Sequence, residues 1–138
     1  LPRLRTLGGT TVQFLGWQPD NVVRDHFARC ACVVFPGEED FGIVPVEAMA
    51  CGKPVIAYAR GGALETVLET PALHTGVLFD EQSPGALAAA VESADQIRFD
   101  PQALHTFALR FDRELYKRRM EEYILRRWSE FSATSPQP

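Results

Sequence analysis

No stretch of this 138-residue sequence is apolar for long enough to span a bilayer, and its opening Leu1-Pro2-Arg3-Leu4-Arg5 is not a signal peptide. Nor is there a run of basic residues. Lys and Arg number 14 against 18 Asp and Glu, a formal net charge of −4, which argues against a nucleic-acid surface. Cysteine is scarce and odd in number: Cys30, Cys32 and Cys51 do not make a disulfide framework. Cys30-x-Cys32 is half of a metal site at most, with no second cysteine pair or histidine cluster to complete it. Buried, reduced thiols and a cytoplasmic setting are the expectation. No Ser/His/Asp or Cys/His set can be defended from the sequence, and His74 and His105 read as ordinary residues. There is no Asp-x-Asp pair to call for a metal. Gly-x-Gly-x-x-Gly, the phosphate device of a dinucleotide-binding oxidoreductase, is also missing, which weighs against that class.

What is there suits one soluble domain with a core of useful size, at 46% hydrophobic residues. Short apolar runs alternate with helical patterns. Val12-Gln13-Phe14-Leu15, Val33-Val34-Phe35, Val55-Ile56-Ala57 and Gly76-Val77-Leu78-Phe79 are the expected strands. A helix end is expected over Leu1 to Leu7 with Gly8-Gly9 as its stop, and Asp20 is expected to cap a helix running to about Cys30. Ala63 to Leu68 reads as a short helix ended by Thr70-Pro71. Ser83-Pro84 and Asp100-Pro101 are caps with a proline in the first turn, and Asp112 caps a long final helix. Strands alternating with helices predict an α/β fold with a Rossmann-like parallel sheet flanked by helices. The domain is expected over residues 1–131, with a frayed tail over 132–138.

The chain is organised around Phe35 to Ala57: strand, acidic loop, short helix, glycine stop, strand. Pro45 suits a helix's first turn, Gly52 a left-handed C-terminal cap, and Pro54 the first residue of a strand. Ligands of open α/β sheets bind outside the carboxyl ends of the strands, where a helix N-terminus favours an anion. Glu39 on the loop and Glu47 on the helix flank that place. Carboxylates beside an anion suit neutral hydroxyl donors, such as those of ribose and sugars.

Glu39 and Glu47 are separated by seven intervening residues, Phe41-Gly42 among them, with Glu47-Ala48-Met49-Ala50-Cys51-Gly52-Lys53-Pro54-Val55-Ile56-Ala57 following, and then Gly61-Gly62-Ala63-Leu64-Glu65. This run resembles the E-x7-E signature of retaining glycosyltransferases of the GT-B fold, in the family called family 4 or glycosyl transferases group 1. The resemblance covers nearly all of the chain and implies the later part of the carboxyl-terminal, donor-binding domain. It implies Glu39 on the transferred sugar, in the catalytic position, and Glu47 on the nucleotide ribose. Backbone N–H groups near Phe41, Gly42, Ile43 and Val44 would face sugar and diphosphate. Trp17, in a loop resembling the segment beside the base, is read either as stacking on that base or as a packing aromatic. Glu65 is read as near the diphosphate or as an acid in its own helix's first turn. Asp40 departs from the small residue common in the family.

Carried over, the chemistry is transfer of a hexose such as mannose or glucose from a GDP- or UDP-hexose with retention, with no cofactor and no metal. The acceptor-binding domain is absent, as are the first donor-domain strands and their diphosphate-binding Arg and Lys. Lys53 and Arg60 are set aside as substitutes, because one follows the helix and the other the next strand. The chain is therefore expected to be an enzyme fragment, inactive alone and not integral to a membrane, though its parent could be peripheral to one. A nucleotide-binding module without turnover is the rival reading. Since the family's central strand is missing, two repairs of the sheet are expected: Val12 to Leu15 moving in beside Val33 to Phe35, or two chains pairing as a homodimer.

Overall fold

The computed structural model describes residues 2–134. Three strands form the main sheet: β1 (Val33–Phe35), β2 (Val55–Tyr58) and β5 (Gly76–Phe79), in the order β1-β2-β5 and all parallel. The register sets Val33 beside Val55 and Ile56 beside Val77. Between β2 and β5 lies a small antiparallel hairpin of β3 (Glu69–Thr70) and β4 (Leu73–His74). The helices are α1 (Pro2–Leu7), α2 (Asp20–Arg29), α3 (Ile43–Ala50), α4 (Ala63–Thr66), α5 (Pro84–Asp95), α6 (Pro101–Ala108) and α7 (Arg113–Thr134). A 3-10 turn, Leu109–Phe111, joins the last two.

Alternation along β2 builds two cores. Val55 and Ala57 face α3, α4 and α6 with Phe35, Met49, Val67, Leu104 and Phe107, while Ile56 packs with Val77, Phe79 and Ala90 toward α5. This is the expected Rossmann-like parallel sheet flanked by helices. The expected caps form: Ser83 Oγ accepts from the Ala86 N–H at 3.2 Å, Asp100 Oδ1 from Gln102 at 2.9 Å, and Asp112 Oδ1 from Glu114 at 2.9 Å. Helix α3 ends in a Schellman motif, with Gly52 N–H on Met49 O at 2.8 Å and Lys53 N–H on Ala48 O at 3.0 Å. Gly52 at φ +72° supplies the left-handed residue this requires.

Three expectations are corrected. Val12–Leu15 is not a strand and pairs with nothing in the sheet. Phe14 lies instead beneath the Arg5 guanidinium, 5.6 Å from its ring centre, and α2, the crossover that would have carried the segment to β1, buries no residue that could hold it there. The repair within the chain is not made, and β1 keeps a bare outer edge with Val34 42% exposed. Asp20 does not cap α2; Pro19 is the N-cap residue and Asp20 is the first helical residue, where its charge suits the helix dipole. The stretch from Ala63 to Leu68 is helical only to Thr66. Thr75 Oγ1 accepts from the Leu68 N–H at 2.7 Å, and Thr70 Oγ1 bonds both polar groups of the Leu73 backbone, which draws the chain into the β3–β4 hairpin. Of the tail expected over 132–138, residues 132–134 continue α7, and 135–138 lie outside the described residues. Among the described residues no helix is long and apolar enough to cross a membrane.

Candidate functional site

The carboxyl ends of β1, β2 and β5 lie at one edge of the sheet, and three loops meet there. The first runs from Pro36 to Gly42 and carries Glu38, Glu39 and Asp40, all exposed. Its end is set by Gly42, whose φ of +77° turns the chain into α3. The second loop, Arg60-Gly61-Gly62, clamps the first from the β2 side. The Gly62 N–H donates to Glu39 O at 2.8 Å. A Cβ on Gly61 would overlap Glu39 O, and one on Gly62 would overlap Phe41 O. The third loop, after β5, donates Gln82 Nε2 to Pro36 O at 2.8 Å. The acidic loop is thus held by backbone contacts that no other side chain could tolerate at two positions.

Residues 38–44 line an open concavity of about 500 Å³, which contains Glu39, Phe41, Gly42, Ile43 and Val44. Glu47 does not share it. It lines two other hollows, one of about 310 Å³ with Asp20, Val23, Arg24, Phe27 and Cys51, and one of about 230 Å³ with Ala108, Leu109 and Asp112. The structure therefore brings five of the expected residues together and sets Glu47 apart from them. Trp17 stands 87% exposed, so it is not a packing aromatic in this chain.

Arg60, set aside from its place in the sequence, sits at the carboxyl end of β2 beside the acidic loop. A hydrogen bond with Tyr58, then the nearby Glu38 and Asp80, push its guanidinium above its ordinary range. Position along the chain hid this; in a parallel sheet every strand's end faces the same side, and that rule was the available signal. Glu65 lies in the first turn of α4, as one of its two readings had it. His105 is a strut, its Nδ1 2.7 Å from Ala50 O at the end of α3.

The three cysteines are free thiols. Burial pushes Cys30 up, against the pull of the Lys53 ammonium, and burial likewise raises Cys32. A raised thiol holds less thiolate at a given pH, and the stability it contributes is full below the ordinary thiol value of about 8.5 and lost as pH rises past it. Cys30 and Cys32 are expected to be alkylated by iodoacetamide at neutral pH more slowly than glutathione, as followed by mass spectrometry; equal rates would contradict the burial argument.

With the geometry in place, the chain can be set against known proteins. The sequence profile of the family described as glycosyl transferases group 1 matches residues 4–104. The D-inositol 3-phosphate glycosyltransferase of Mycolicibacterium vanbaalenii is 38% identical over 90 residues, covering 65% of this chain and 19% of that protein. An alpha-1,3/1,6-mannosyltransferase of Dictyostelium discoideum is 54% identical over 42 residues, 30% of this chain and 10% of that protein. The crystal structure of Anabaena HepE in complex with UDP-glucose superimposes with a TM-score of 0.65 at 29% identity, over 89% of this chain and 35% of that one. The chain thus spans a fifth or less of these two curated relatives and about a third of the solved one.

Proposed function

The chain belongs to the glycosyl transferases group 1 family, and on that premise we propose that it is the donor-binding part of a retaining glycosyltransferase that moves a hexose from a nucleoside-diphosphate sugar. One observation carries the reading: the acidic loop between β1 and α3 is fixed in shape by the Gly61-Gly62 backbone, with Glu39 at its rim. A loop built so tightly around an exposed carboxylate is preorganised for a ligand.

The division of labour follows from the two hollows. Glu39, in the concavity of residues 38–44, contacts the transferred sugar. Glu47, in the hollow against α2, accepts hydrogen bonds from ribose hydroxyls, with Arg24 across from it. Charge develops on the departing diphosphate, and donors aimed there lower the barrier most. The first N–H groups of α3 supply part of that stabilisation. The names of the mannosyltransferase relative and of the UDP-glucose complex support a hexose donor. The free thiols support a cytoplasmic setting. Turnover itself needs the acceptor side, so this chain alone is read as inactive.

Calorimetric titration with UDP and GDP against NAD tests the reading. A nucleoside diphosphate is expected to bind and NAD is not; the reverse order would replace the reading with an oxidoreductase. Glu47→Ala is expected to weaken nucleoside-diphosphate binding by about 1.5–3 kcal/mol, the loss of charged hydrogen bonds. Glu39→Ala in the intact enzyme should lower transfer while leaving that affinity nearly unchanged. If both variants lose affinity equally, the two-hollow assignment is wrong.

A further inference from the structure

The loops after β1 and β5 do not adjoin. The sheet order β1-β2-β5 puts the central strand between them, and strands of one sheet lie about 4.8 Å apart, so the two loops spring from points about 10 Å apart. One side chain closes that gap. Gln82 reaches over the carboxyl end of β2 and donates Nε2 to Pro36 O at 2.8 Å, across 46 positions of sequence.

Both ends of this bridge have a physical reason. The pairing of β1 with β2 stops at Phe35, so the Pro36 carbonyl falls beyond the ladder, and the Gln82 amide gives it a donor. The backbone of Gln82 is itself mounted on the sheet. On one side the Ala59 N–H donates to Phe79 O at 2.7 Å, at the last residue of β5. On the other, the Ser83 N–H closes a three-residue turn around Gln82 onto Glu81 O at 2.7 Å, and Ser83 then caps α5. Helix α5 is seated through Ala90 against Ile56, Val77 and Phe79. The amide is thus offered from the frame of the sheet rather than from a free loop.

What it holds is the acidic loop. Two hydrogen bonds reach that loop's backbone from its neighbours, Gln82 to Pro36 O and the Gly62 N–H to Glu39 O at 2.8 Å. Gly37 stands between them with nothing within 4 Å of the place a Cβ would take, and Glu38 beside it is exposed. Without the first bond the segment has a glycine to pivot on and open space to pivot into. Glu39 is the residue at the second bond, so a swing at Gly37 carries its carboxylate along. A displacement of about 1 Å at a ligand-facing group is enough to cost much of its effect.

We propose that Gln82 is a positioning residue of the sugar site: its amide fixes the acidic loop against the end of β5 and so sets where Glu39 meets the transferred sugar. This role rests on the donor-binding reading; the anchoring of the loop does not.

The test replaces Gln82 by methionine, which keeps the length of the side chain and removes the donor. Gln82 is exposed, so Gln82→Met is expected to keep the parent melting temperature. Hydrogen exchange of the Gly62 amide, followed by NMR, is expected to quicken about three- to tenfold, the worth of one neutral hydrogen bond. Titrations with UDP, UDP-glucose, GDP and GDP-mannose then read the role. Affinity for the nucleotide sugar is expected to fall about three- to tenfold, while affinity for the free diphosphate of the same base stays unchanged. Unchanged exchange at Gly62 would overturn the anchoring, and with a weakened sugar it would make Gln82 a direct contact instead. Faster exchange with an unchanged ratio of sugar to diphosphate affinity, or an equal fall in both, would overturn the positioning. If the unaltered chain binds neither diphosphate, it is the donor-binding reading that falls, and exchange at Gly62 alone decides whether Gln82 holds the loop.

Discussion

Replacing Leu104 by alanine is expected to cost about 2–5 kcal/mol, the range for emptying a fully buried leucine site. Leu104 is 0% exposed and sits where α6 lies across α3, among Met49, Ala48 and Phe107. The backbones on both sides of the site are pinned. The Leu104 N–H is bonded to Asp100 O at 3.0 Å, and His105 Nδ1 bridges to Ala50 O at 2.7 Å. The surroundings therefore cannot collapse into the void, and the cavity contribution adds to the lost transfer free energy. Urea unfolding should show a lower midpoint with an unchanged slope. Leu104→Met, nearly equal in volume, should cost under about 1.5 kcal/mol. A loss below about 1 kcal/mol for the alanine variant would mean that α6 is not seated on α3 as described.

The second large effect is expected at Gly62. Its φ of −64° and ψ of −16° are right-handed helical values that alanine adopts freely, so backbone strain does not explain the glycine. The contact does. A Cβ there would fall closer than 3.0 Å to the carbonyl oxygen, carbonyl carbon and Cα of Phe41, none of which can swing away like a side chain. Gly62→Ala must push the acidic loop off the β2 end and break the bond from the Gly62 N–H to Glu39 O. Overpacking of this kind typically costs about 1–3 kcal/mol and can exceed that against fixed backbone. Donor affinity should fall with it, because the loop is what positions Glu39. Gly9→Ala is the control: its φ of +58° is unfavourable but nothing lies near its Cβ, so its stability loss should be confined to backbone strain, about 1 kcal/mol, with donor affinity unchanged. Equal effects at the two glycines would refute the clamp.

The parts legible in the sequence are those whose signals are local. Val33 to Phe35, Val55 to Ala57 and Gly76 to Phe79 are short apolar runs closed by glycine or proline, and the ends of α3, α5, α6 and α7 are written in single capping residues. The β3–β4 hairpin was read only as a helix stop at Thr70-Pro71, because the bonds that make it, Thr70 to Leu73 and Thr75 back to Leu68, come from side chains whose partners the sequence does not name. The Val12–Leu15 segment has a strand's composition but no partner within the chain, and composition cannot supply one. In the site, Glu39 and Phe41 to Val44 are grouped by the resemblance to the family's signature, whereas the placing of Glu47 outside their concavity follows from its position on α3. Arg60 and Gln82 escaped for a common reason: each comes beside the acidic loop through the meeting of separate strand ends, which sequence distance does not report.

The two edges of the main sheet are unequally guarded. At β5 the outward N–H of Leu78 is taken by Glu69 Oε1 at 3.0 Å, and the hairpin lies alongside. Among the described residues nothing comparable stands at β1, and half-exposed Val34 is its middle residue. Any extended chain that meets β1 gains a ready ladder, whether a second copy, a folding intermediate or an unrelated peptide. Because β1 pairs with β2 on its inner side only, its outward backbone groups are the place where such pairing would start, and Val34→Lys is expected to lower aggregation at high concentration by putting a charge on that edge.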